Sequence, residues 1–221
     1  MPRASRSRAL LRASAGVGGE DEAAAARFAL GMARVHELGL ATPAQQDGAL
    51  LLHRLVGAFI CSMLDADANE TARTAVEQAV ATAAHRINEH GDPRPLLTWQ
   101  PQLRAVAETA ERDGRPSASW LLNELGYHLR MVADLAGARA ALERALAIDE
   151  RVRGPDHPDV AIRLSNLGSV LRDQGDLAGA RAAFERALAI FQSRLGEQHP
   201  HTELVRRSLA ALAAGGATNL P

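Results

Sequence analysis

Asp134-Leu-Ala-Gly-Ala-Arg-Ala-Ala141 returns unchanged as Asp176-Leu-Ala-Gly-Ala-Arg-Ala-Ala183, 42 residues later. Residues 125–158 laid over residues 167–200 agree at about two-thirds of positions, so this part of the chain is a tandem duplication. Each copy reads as two helices. The first ends near Ala133 or Gly175, Asp134 or Asp176 is placed to cap the second, and the second stops before Gly154 or Gly196. Residue size supports a hairpin: Gly126, Gly168, Ala138, Ala145, Ala180 and Ala187 are small where two helices must approach closely. Leu122, Leu125, Leu129 and Leu142, with Leu164, Leu167, Leu171 and Phe184, fill the seam. The expectation is an all-α fold, an α-solenoid of antiparallel helical hairpins.

Working outward, the full repeats cover residues 118–157 and 160–199. Two units leave both end faces uncovered, and a solenoid needs neighbours to close them. Residues 200–213, with Leu204, Leu209 and Leu212, form the expected C-terminal cap of an array spanning residues 116–213, followed by a flexible tail at 214–221. Upstream, residues 69–89 and 97–113 read as helices separated by Gly91-Asp92-Pro93-Arg94-Pro95. The second carries Leu97, Leu103, Val106 and Ala110 as an apolar stripe, so residues 69–113 are assigned as helical linker and N-terminal cap.

Residues 1–19, rich in Arg, Ser, Ala and Gly, read as a disordered arm. Residues 20–65 give helix, two short strands and helix in order. Phe28, Met32, Val35 and Leu38 recur at helical spacing before Gly39, Asp47-Gly48 supplies a hairpin turn between residues 40–42 and 50–52, and residues 55–64 return to helix. This order predicts a small winged-helix-like remnant.

Composition narrows the function. A hydrophobic content of 47% suits a soluble core, and an aromatic content of 3% suits closely packed helices. A net charge of -1 supplies no phosphate-binding footprint, so nucleic acid is not expected as a partner. All 25 basic residues are arginine, which points to a GC-rich bacterial genome. Cys61 is single and lies among apolar residues, and residues 9–11 are too short an apolar run for a signal peptide; the expected location is the cytoplasm, with no membrane association.

Leu-x-x-Leu-Gly-x-x-Leu in the first helix and Ala-x-x-x-[Leu/Phe]-x-x-Ala in the second resemble the tetratricopeptide repeat. The 42-residue length and the Gly-x-x-His-Pro linkers at Gly154 and Gly196 resemble its kinesin light chain subtype. The resemblance implies a concave groove, lined by the first helix of each hairpin, that holds a partner segment. Leu52-His53-Arg54-Leu55-Val56 resembles the motif closing the winged helix of NB-ARC type STAND nucleotide switches, and Trp99-Gln100-Pro101 is comparable to a segment of that family. That resemblance implies a nucleotide-sensing role for His53. The sequence has no Gly-x-x-x-x-Gly-Lys-[Ser/Thr] loop and no lysine, so nucleotide hydrolysis by this chain is not expected.

Trp120, Asn123, Tyr127 and Arg130, spaced three, four and three apart, share one face of the first repeat helix. Ser165, Asn166, Ser169 and Arg172 take the corresponding region one period later, and Arg207 follows on the cap. These nine are the candidate partner-binding residues, and their arginines favour an acidic protein or peptide ligand. Trp120 and Tyr127 serve equally well as packing residues. His157 and His199 precede Pro158 and Pro200 and read as linker-shaping residues rather than metal ligands. His36-Glu37 lacks a second histidine four residues after the first, and no Gly-x-Ser-x-Gly elbow is present, so no catalytic residue, cofactor or metal is assigned.

Overall fold

A computed structural model describes residues 41–43, 50–52 and 66–217. The chain divides into two units, residues 1–83 and residues 84–221. In the first, β1 (Ala41–Pro43) pairs antiparallel with β2 (Leu50–Leu52), in the register Ala41 to Leu52, Thr42 to Leu51 and Pro43 to Leu50. The hairpin expected around Asp47-Gly48 therefore forms, its first strand one residue later than the apolar pattern suggests. The flanking helices expected at 23–38 and 55–64, the arm at 1–19, Cys61 and His53 lie outside the described residues.

Helix α1 (Ala66–Glu89) runs across the division between units. It is followed by α2 (Arg94–Leu97), α3 (Gln100–Arg112), α4 (Ser117–Met131), α5 (Leu135–Arg153), α6 (Pro158–Asp173), α7 (Leu177–Leu195) and α8 (Pro200–Ala217). The single helix expected over 97–113 is broken in two. Pro101 has no N–H and its ring clashes with the carbonyl four residues back, so α3 restarts from Trp99, which leaves helical geometry at φ -124 and ψ 18. Its buried stripe is Leu103, Ala107 and Ala110; Leu97, expected on that stripe, is exposed, and Leu96 is buried instead.

In the second unit α4 packs on α5, α6 on α7, and each hairpin on the next through α5 with α6 and α7 with α8; α3 packs on α4. The two hairpin seams follow the size pattern. A Cβ on Gly126 would lie 2.6 Å from Leu142 Cγ, and one on Gly168 would lie 2.9 Å from the Phe184 ring, so each glycine is what admits the large residue opposite. Asp134 and Asp176 cap α5 and α7 by accepting from Gly137 N at 3.0 Å and Gly179 N at 2.9 Å. His157 and His199 also cap: the first accepts from Asp159 N at 3.1 Å, the second from His201 N at 3.2 Å. Each imidazole thus replaces the usual short polar cap just before the proline that opens α6 or α8.

The cap helix α8 buries Thr202, Val205 and Leu212, whereas Leu204 points to solvent. Its anchoring is partly polar, since Thr202 Oγ1 donates to the Gly196 carbonyl at 2.8 Å. At the other end Arg144 of α5 makes a two-pronged bond to Glu111 of α3, with Nε donating to Oε1 at 3.0 Å. The guanidinium holds the Glu111 carboxyl below the ordinary carboxylate range.

Candidate partner-binding face

The first helices of successive hairpins, α4 and α6, touch each other, and the candidate residues of each lie on them. Trp120, Tyr127 and Arg130 on α4 are half-buried, as are Ser165, Asn166, Ser169 and Arg172 on α6.

Between the two helices runs a chain of amides. Asn166 Nδ2 donates to Asn123 Oδ1 at 2.8 Å, and Asn123 Nδ2 donates in turn to Glu124 Oε1 at 3.3 Å. Glu124, itself buried, also accepts from Asn88 Nδ2 at 2.8 Å and meets His85 Nδ1 at 3.2 Å. Both amide atoms of Asn123 are engaged, and only 5% of the residue is exposed. Asn123 therefore tethers α4 to α6, and Asn166 is the amide that reaches the surface.

A second contact between them is ionic. Arg130 Nε donates to Asp173 Oδ2 at 2.6 Å, and Arg172 donates from Nε and Nη2 to Asp173 Oδ1 at 3.2 and 3.1 Å. Two guanidiniums from neighbouring hairpins thus share one carboxylate and leave a local excess of one positive charge. Each keeps N–H donors for a second acceptor. Arg207 does not join them. One period before it stands Ser165, not Arg172, and on α8 its Nε donates to its own helix at the Glu203 carbonyl, 3.4 Å away. Ser169 likewise bonds to its own helix, donating to the Ser165 carbonyl at 3.0 Å.

Sequence reasoning missed Asp173, Glu124, Asn88 and His85. Asp173 had a signal: it departs from the repeat, its counterpart one period earlier being Met131. Glu124 departs from the repeat too, its counterpart one period later being Asn166, but its partners His85 and Asn88 lie more than thirty residues away in sequence and outside the repeat. Among the described residues no group of three or more His, Cys, Asp or Glu is placed to hold a metal ion, and no helix is long and apolar enough to cross a membrane.

Residues 117–193 and 163–216 match the model of the tetratricopeptide repeat family. Repeats of this kind generally mediate protein–protein interaction. Among solved structures, the chain is similar to the nearly identical TPR-like repeats of a Podosopora anserina putative kinesin light chain, at 20% identity and a TM-score of 0.54. That match covers 61% of this chain and 64% of the other. BtubC (BKLC) from P. vanneervenii is similar at 19% identity and a TM-score of 0.56, over 73% of this chain and 63% of that one. The chain spans less than two-thirds of either structure's length, and at these identities the likeness carries the fold. No curated protein matches the sequence significantly.

Proposed function

We propose that residues 117–216, as tetratricopeptide repeats, hold an acidic segment of a partner protein across α4 and α6. The observation that carries this reading is the convergence of Arg130 and Arg172, from consecutive hairpins, on a single carboxylate. A ligand carboxylate would meet two preplaced forked donors there, and the half-buried faces of Trp120 and Tyr127 on the same helix would take an adjoining bulky side chain. No reaction is assigned to this face; its work is recognition, in a bacterial regulatory setting and in the cytoplasm. Reversing both charges in R130E/R172E is expected to leave the helical content intact while abolishing capture of partners from host lysate. Retention of the same partners at the same salt tolerance would move the binding surface elsewhere.

A second reading, that the chain senses for a STAND-type nucleotide switch carried on a separate polypeptide, draws support from the β1–β2 hairpin that ends immediately before His53. On this reading too the chain alone binds neither ATP nor ADP, because a lone histidine does not replace the amides and lysine of a phosphate loop. Titration calorimetry in magnesium checks it, and micromolar affinity of the isolated chain for either nucleotide would contradict it.

A further inference from the structure

Asp173 is the last residue of α6, and a carboxylate there faces the negative end of the helix dipole. The repeat does not call for an acid at this place, since the preceding hairpin carries Met131 and the position one period later is Gly215. Helix energetics therefore disfavour Asp173, and the repeat template does not account for it. What it does have is the pair of arginines: the carboxylate takes the Nε of Arg130 and the Nε and Nη2 of Arg172. All three side chains are only part-buried, at 27%, 30% and 35% exposure for Arg130, Asp173 and Arg172, so the cluster is open to an incoming group. Its bonds are those a ligand carboxylate would make.

We propose that Asp173 is an internal competitor, a carboxylate of the chain itself that occupies the anion position until an acidic peptide displaces it. This rests on the reading of the α4 and α6 face given above and adds its control. With Asp173 in place the cluster holds one net positive charge, so a segment with a single acidic residue gains little by exchange. A segment with several carboxylates displaces Asp173 and still has charge left for the remaining N–H donors. The residue thereby sets how acidic a ligand must be, in the sense that specificity is built by penalising the weaker competitor.

The test uses the full chain, a fluorescently labelled oligoglutamate peptide and its oligoglutamine counterpart. Asp173→Asn keeps the size and a hydrogen-bonding oxygen but removes the charge, and unchanged circular dichroism establishes that it folds. Expected is a tightening for oligoglutamate of roughly two- to fivefold, the range set by a part-exposed ion pair, with a steeper loss of affinity as salt rises. Oligoglutamine binding should not change. Equal or weaker oligoglutamate binding by the variant overturns the inference, because Asp173 would then hold the arginines in place for the ligand rather than compete with it. If neither protein binds oligoglutamate, the ligand class is wrong and the inference falls with it. R130E/R172E in the same assay separates the two levels: loss of binding there together with no change in D173N removes the competitor role and keeps the face.

Discussion

Asp149 and Arg163 form a buried ion pair, Oδ2 to Nε at 3.0 Å, at the place in the repeat that Phe191 and Val205 occupy one period later. All four residues are buried. One hairpin junction thus carries a buried charge pair where the next carries two buried apolar side chains. Breaking a buried pair strands a charge, whereas replacing both members by packed apolar groups need not destabilise. Arg163→Val alone is expected to cost about 3 kcal/mol, the low end of the usual range because Arg153 also reaches Asp149. D149L/R163V should return to native stability or exceed it. Urea unfolding of the three proteins decides the matter, and a double variant no better than the single one would show that the junction depends on the charges themselves.

Ala133, between α4 and α5, takes a φ of 64, the left-handed region, and its counterpart Gly175 takes 86. A side chain there costs about 1–2 kcal/mol, offset in part by the greater freedom glycine has when unfolded. Ala133→Gly is expected to stabilise the chain by up to about 1 kcal/mol, and Gly175→Ala to destabilise it by about 1 kcal/mol. Thermal melts should move in opposite directions for the two substitutions. Shifts of the same sign would mean that the turn is relaxed in solution.

His128 of α4 is buried, with Nε2 bonded to Gln100 Oε1 at 3.2 Å and Nδ1 lacking a partner among the described residues. Burial pushes its pKa below the ordinary histidine value. The unfolded chain then takes up a proton that the folded chain resists. Stability from this group is complete above about pH 6.5 and declines as the pH falls through that value. The urea midpoint should drop between roughly pH 7.5 and 5.5, and His128→Gln should flatten that slope whatever its effect at neutral pH. An identical slope in the variant would assign the pH dependence to other groups.

The N-terminal end of the array is a separate prediction. Glu124 rests on His85 and Asn88, and Arg144 on Glu111, so the first hairpin leans on both α1 and α3. A chain beginning at Pro116 should melt at a lower temperature and over a broader range than one beginning at Ala84, because an uncapped terminal repeat frays. Coincident transitions would show that the hairpins close without these helices.

The repeat was legible because its evidence is local: the glycine and large-residue pairs at Gly126 with Leu142 and Gly168 with Phe184 follow helix spacing, and Asp134 and Asp176 announce their caps. The phase of α8 was less so. Leu204 and Val205 are adjacent and both apolar, and only packing against α7 selects Val205 for the inside. The candidate face was readable as a set of residues but not as a set of bonds. Asn123 looked available as a ligand contact and is consumed by Asn166 and Glu124, and Arg207 looked like the third of a row whose actual third member is the carboxylate of Asp173. Asn123 with Asn166 and Arg130 with Asp173 each lie 43 positions apart, one repeat period plus one, so the register across the junction follows the repeat; which polar groups pair there does not follow from the apolar pattern.

The alternation of an ionic and an apolar junction also bears on how a duplicated chain avoids folding onto the wrong copy. Helices α5 and α7 are nearly interchangeable from Asp134 and Asp176 onward, which invites exchange of one hairpin's second helix for the other's. An exchanged arrangement would set Asp149 against Val205 and Phe191 against Arg163, burying Arg163 with no counterion and leaving Asp149 only Arg153 of its own helix. The stranded Arg163 penalises the wrong assembly, so two hairpins with similar second helices are still told apart at their junctions.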